Sequence, residues 1–252
     1  MIRKGFCFCL CFCLFIFFVS CQASPSTPQE TTYNYPGLTW GMSPDQVIEA
    51  LGLDKDSISQ GTLESGDTYI EYEPKEEVFG KIPGIIALMF SEEKDELCMM
   101  KILYPGRTEE TIQTIKSALE EQYGPLEDEV VIAVSPELSE DSSPLVTHSN
   151  KGSKDLFYWV GKQTLKEALT PQQAEQYQKN YSERNAYWKN ESAWEQLLCN
   201  THLSMITFNA QEQNPHDLSY PEGACFITFN GSFSFLAQYM QEEIDHSVSS
   251  VS

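Results

Sequence analysis

The chain starts the same way twice. "YPGLTWGMSPDQVIEALGL" occupies residues 35–53 and "YPGRTEETIQTIKSALEEQYGPL" residues 104–126. Each opens Tyr-Pro-Gly-x-Thr, runs into an amphipathic stretch and stops at glycine. In the first, Ser43 suits the N-cap, Pro44 the first helical position and Asp45 the first turn. Val47 and Leu51 share a face, and Gly52 ends the helix. In the second, Thr108 is the cap, and Glu109 and Glu110 suit the positive end of the helix. Ile112, Ile115, Leu119 and Tyr123 make its buried stripe. Gly124-Pro125 closes it.

Strand patterns follow each helix. "TYIEY" (68–72) alternates, and "GIIALMF" (84–90) and "ELCMMKILY" (96–104) flank the charged turn "SEEKD", which reads as a hairpin with a wet tip. Beyond the second helix, "VVIAV" (130–134) and "LFYWV" (156–160) are strand-like, with a loop expected between them. One long helix is expected from Pro171 to about Leu198, capped by Thr170, with Tyr177, Tyr181 and Trp188 along one side and Trp194 adjacent. "HLSMITF" (202–208) returns as a strand. "CFITFNGSFSF" carries Asn230-Gly231, a strong short-range hairpin signal. Residues 233–244 fit a strand or a final helix, and the C-terminal tail is expected to be disordered.

Helix, antiparallel strands, then helix and strands again predict an α+β fold of two tandem helix-plus-antiparallel-sheet units, with helices on one face. The expected boundaries are 35–104 for the first unit and 105–252 for the second, the latter with a helical insert near 165–198.

The N-terminus has a different logic. Cys7, Cys9, Cys11 and Cys13 alternate with Phe and Leu in a run without charge. Metal-binding thiolates would be costly to bury there, whereas free cysteine serves as a small hydrophobe. Arg3 and Lys4, the apolar run 5–19 and Ser20 read as a signal peptide over 1–20. The run is short against the roughly 20 apolar residues that span a bilayer. The tetrad Phe18-Val19-Ser20-Cys21 resembles the lipoprotein box of bacterial lipoproteins. The resemblance implies cleavage before Cys21 and a diacylglyceryl group on its sulfur, hence a membrane partner and an extracytoplasmic, lipid-anchored location. Residues 21–34 then read as a flexible tether, rich in Ser, Thr, Pro and Gln, with a reach of roughly 20 Å.

A second resemblance rests on "LTWGMSPDQVIEALGL", through Gly41, Met42, Ser43, Val47, Leu51 and Gly52, echoed by Tyr123-Gly124-Pro125. This stretch resembles small bacterial lipoproteins of the outer-membrane-assembly type. Those share a fold with secreted beta-lactamase inhibitor proteins, which implies helices packed on short antiparallel sheets, often in tandem. The insert near 165–198 departs from that pattern.

The net charge of −21 opposes nucleic-acid binding, which runs on Lys and Arg at phosphates. It also opposes lying flat on an anionic bilayer, and it leaves room for a cationic partner. Besides the N-terminal cysteines the chain has Cys98, Cys199 and Cys225; if a disulfide forms, Cys199–Cys225 is the expected pair.

Catalytic constellations are sparse. Ser91-Glu92-Glu93-Lys94 matches Ser-x-x-Lys by letter, but its companion motifs are missing and it falls on a hairpin tip. His148, His202, His216 and His246 lack metal-ligand spacing, and no His-Glu-x-x-His run occurs. His216-Asp217 lies in a turn-rich loop. Glu92, Glu93, Asp95 and Glu96 lack the alternation and glycine turn of a calcium loop. No metal or other cofactor is expected. The aromatic stripe Tyr177, Tyr181, Trp188 and Trp194 suits a partner-binding face, with core packing as the competing reading. The expectation is a non-enzymatic binding module for a protein or envelope component; the rivals are a cell-envelope hydrolase and a solute- or sugar-binding lipoprotein.

Overall fold

The computed structural model describes residues 32–63, 66–92, 94–133, 145–184, 190–211, 223–234 and 236–249. The signal peptide, Cys21 and nearly all of the tether lie outside them. The elements are α1 (Pro44–Leu51), β1 (Ser59–Thr62), β2 (Thr68–Tyr72), β3 (Ile85–Phe90), β4 (Leu97–Tyr104), α2 (Glu109–Tyr123), β5 (Glu129–Ala133), β6 (Leu145–Ser149), β7 (Leu156–Val160), α3 (Leu165–Ala168), α4 (Pro171–Arg184), α5 (Glu191–Asn200), β8 (Met205–Asn209), β9 (Cys225–Asn230) and α6 (Leu236–Ser249). The fold is α+β.

Local chemistry explains the helix starts. Ser43 and Gln46 form a reciprocal capping box on α1, and Gly52 ends it in the left-handed region. The Thr108 hydroxyl accepts from the Thr111 N–H at 3.1 Å. Thr170 caps α4, its hydroxyl accepting from Gln173 and its N–H donating to the Gln173 side chain.

Strands from both halves of the chain join one seven-stranded sheet, in the order β1-β2-β3-β4-β9-β8-β7. Every neighbouring pair is antiparallel. One face of the sheet carries Ile70, Ile86, Leu88, Phe90, Met100, Ile102, Phe157, Trp159, Ile206, Phe208, Ile227 and Phe229. These pack with Val47 and Ile48 of α1 and Ile112, Ile115 and Leu119 of α2 in the main core. Each such side chain contributes about 1.5–3 kcal/mol by leaving water.

A second core joins Leu165 of α3, Tyr177 of α4, Trp194, Leu197 and Leu198 of α5, Leu203, and Met240 of α6. Amide chemistry fastens α4 to α6: Gln173 Nε2 donates to the Ala237 carbonyl at 2.8 Å and Asn180 Nδ2 to Glu243 at 2.7 Å. The β3–β4 hairpin tip reaches α6 through Lys94, which pairs with Glu242 and lies over the Tyr239 ring.

Several expectations need correction. The single helix from Pro171 to about Leu198 is two helices, because Asn190 caps a new start by accepting from the Ser192 and Ala193 N–H groups. Within the loop expected before β7, β6 pairs with β5. Asn230-Gly231 does not make a hairpin. The Asn230 side chain accepts from Ser232 N–H, the Gly231 N–H donates to the Cys98 carbonyl, and the chain turns into α6. Residues 236–249 are helical, so of the strand and the final helix that the sequence allows for 233–244 the helix forms, and it runs on into the tail expected to be disordered. Cys98, Cys199 and Cys225 are all free thiols; Cys225 is interior while Cys199 faces solvent, so the expected pair does not form.

Candidate functional site

Successive side chains on a strand point to opposite faces, so the core accounts for half of each sheet strand. Pairing register then defines the other face row by row. Tyr69, Met89, Met99, Asn230, Met205 and Val160 form one row; Glu71, Ala87, Lys101, Thr228, Thr207 and Tyr158 the next; Ile85, Leu103, Phe226, Asn209 and Leu156 the third. All are partly exposed, and Ile85 is 37% exposed. None belongs to either core cluster or to the residues packed against one. Among the described residues, no helix seals this face as α1 and α2 seal the other.

Its composition is unlike the rest of the chain. Glu71 and Lys101 are its charged members, although 21% of the chain is charged. Lys101 lies over the Phe226 ring at 5.3 Å, a cation–π contact in the middle row of the face, between Ala87 and Thr228. Methionine, aromatic and branched side chains dominate, which is the make-up of contact-surface centres, and methionine adapts its shape to what it meets.

The β7 edge of this face is covered locally. Asn150, buried, accepts from the Tyr158 N–H and donates to the Tyr158 and Glu127 carbonyls, each at 2.9 Å. His148 sets its ring edge-on to Tyr158 at 4.7 Å. An unpaired strand edge is an aggregation hazard, and these contacts occupy it.

Among the described residues, hollows are found at two further places. One, of about 620 Å³, sits beside the start of α1 and strands β1 and β2. Its charged groups are engaged with one another: Lys55 bonds Asp45 at 2.8 Å, holding that carboxyl below its usual range, and the Thr68 hydroxyl bonds Asp95. No nucleophile–base pair forms there. The other, of about 460 Å³, is lined by Tyr35, Pro36, Glu77, Val78, Phe79, Ala118, Glu121 and Gln122.

Of the residues singled out from the sequence, Tyr177 and Trp194 are interior, 5% and 6% exposed, with ring centroids 5.3 Å apart. They hold α4 to α5, as core packing of the stripe requires, and offer a partner no surface. The Tyr181 side chain, Trp188, Cys21, His216 and Asp217 lie outside the described side chains. Ser91 accepts the Glu96 N–H in the hairpin tip while Lys94 turns away toward α6, so the Ser-x-x-Lys letters make no catalytic pair. His148 meets the Leu156 carbonyl and His202 the Gly161 carbonyl. No group of three or more His, Cys, Asp or Glu able to hold a metal occurs among the described residues. No helix among them is long and apolar enough to cross a membrane.

The open sheet face was missed from the sequence, though a signal was present. A sheet with one wet face alternates apolar and polar residues, but "IIALMF" and "LCMMKILY" are apolar at both parities. No protein-family model, curated protein or solved structure matches the chain.

Proposed function

We propose that the chain is a lipid-anchored extracytoplasmic binding module that engages a protein or envelope component through the open face of its sheet. The supporting observation is the three-row field of Met89, Met99, Met205, Phe226, Leu103 and Tyr158 on a molecule otherwise crowded with charge. These side chains are partly exposed, and contiguous apolar surface open to solvent marks interaction sites.

Attachment through lipid on Cys21 supplies the location. One acyl chain anchors marginally and two or more anchor stably, at about 0.8 kcal/mol per buried methylene. Mass spectrometry of the mature N-terminus tests this part, and a diacylated Cys21 is expected as the first residue.

The same chain also reads as two related units in tandem. Each Tyr-Pro-Gly turn places its glycine at positive φ, 80° at Gly37 and 92° at Gly106, and each leads to a helix on the same sheet face. The last strand of one half, β4, lies antiparallel to the last strand of the other, β9. That arrangement suits two related units fused along one sheet, with the helical insert near 165–198 as an addition to the second.

The binding reading is tested by crosslinking on intact cells followed by affinity capture. Partners retained by the unaltered protein are expected to be lost from Met99→Glu and Phe226→Glu, while Glu49→Gln, at an exposed position of α1, retains them. Equal retention by all forms would contradict the assignment of this face.

A further inference from the structure

The smaller hollow lies on the helix-bearing side of the sheet, and its chemistry is independent of the open face. We infer that this hollow binds small organic cations of the alkylammonium class. Tyr35 and Phe79 give it aromatic walls, Pro36, Val78 and Ala118 give it apolar ones, and the carboxylates of Glu77 and Glu121 stand exposed at its rim. No lysine or arginine lines it.

The walls are held rigidly. Phe79 adopts φ 49°, a conformation that bulky residues rarely occupy. The surrounding rings fix it: Phe229 stacks on it at 6.0 Å, Tyr35 meets it edge-on at 6.3 Å, and Tyr123 lies tilted at 6.2 Å. The main core thus holds the aromatic wall in place before any ligand arrives, which lowers the ordering cost of binding.

Charge selects the occupant. Aromatic faces carry negative quadrupoles and attract cations, and two carboxylates add to the same field. Neighbouring basic groups are drawn to other acids: Lys81 to Glu110 at 3.3 Å, and Lys116 to Glu120 at 3.0 Å. A hard metal ion prefers a shell made wholly of oxygens, whereas much of this lining is aromatic or aliphatic. A cation wrapped in methyl groups matches both the apolar walls and the acidic rim.

Choline and its neutral isostere 3,3-dimethylbutan-1-ol separate charge from shape. Titrated into the full chain in a non-ionic detergent, choline is expected to give saturable amide shifts at Tyr35, Val78, Phe79 and Ala118. The isostere should bind at least tenfold more weakly. Both Phe79→Leu, which keeps apolar bulk, and the double variant Glu77→Gln/Glu121→Gln, at exposed positions, should weaken choline at least tenfold with circular dichroism unchanged. Equal response to the isostere would overturn the inference, as would shifts spread over the acidic surface or undiminished in the double variant. Phosphatidylcholine nanodiscs in place of free choline distinguish sources. The same shifts with both assign a lipid headgroup, and shifts with choline alone assign a free solute.

Discussion

A methyl group added at position 231 would sit 2.0 Å from Trp40 Cδ2, inside the ring's van der Waals envelope. Trp40 is itself tied down, its indole N–H donating to the Tyr33 carbonyl at 3.0 Å. Gly231→Ala is therefore expected to destabilise the fold by about 1–3 kcal/mol, measured by urea denaturation. That contact also explains why Asn230-Gly231 misleads as a turn signal: glycine is there to admit an indole, and only tertiary structure reveals it. Trp194→Ala removes a ring from the second core and should cost about 3–5 kcal/mol. The spacing of Tyr177 and Trp194 was legible, but whether that face met protein or solvent was not. Burial pushes the Cys225 thiol from 9.0 up to about 11, and Cys98 likewise; the Tyr104 phenol is raised for the same reason. The folded chain holds these protons more tightly than the unfolded one. For the two thiols the stability this contributes is complete below about pH 9 and is lost as pH climbs through about 11. Unfolding curves across that range should show the decline, shallower in Cys225→Ala.

Among the elements, those set by neighbours in sequence were the legible ones. α1, α2, β2, β3, β4, β7 and β9 follow from caps, glycine stops and apolar patterns within a few residues. The break between α4 and α5 hid behind a continuous helical pattern, because an Asn190 cap competes with an uninterrupted helix and sequence does not weigh the two. β6, "LVTHS", is exposed on much of its length and carries little apolar signal; its pairing with β5 stabilises it. The Asn150 contacts that follow it are testable. Asn150→Ala strips partners from the Tyr158 N–H and carbonyl and the Glu127 carbonyl, at a cost of about 2–3 kcal/mol. Because the β7 edge is then bare, concentration-dependent association should rise, as read by light scattering.

For the whole molecule, the sheet has two faces with opposite fates. Helices α1 and α2 seal one, while among the described residues no helix seals the other, with its methionines, Phe226 and Tyr158. The two-sided apolar strands announced a sheet that needs cover on both sides, and among the described residues the main core gathers helices α1 and α2 on one of them. The direct measurement is site-specific photocrosslinking in intact cells, with a benzoylphenylalanine at position 226 on the open face or at position 49 on α1. A discrete adduct is expected from position 226, suppressed by excess purified protein, and none from position 49. Adducts of equal yield from both positions, or none from position 226, would contradict an open face that serves as the contact surface.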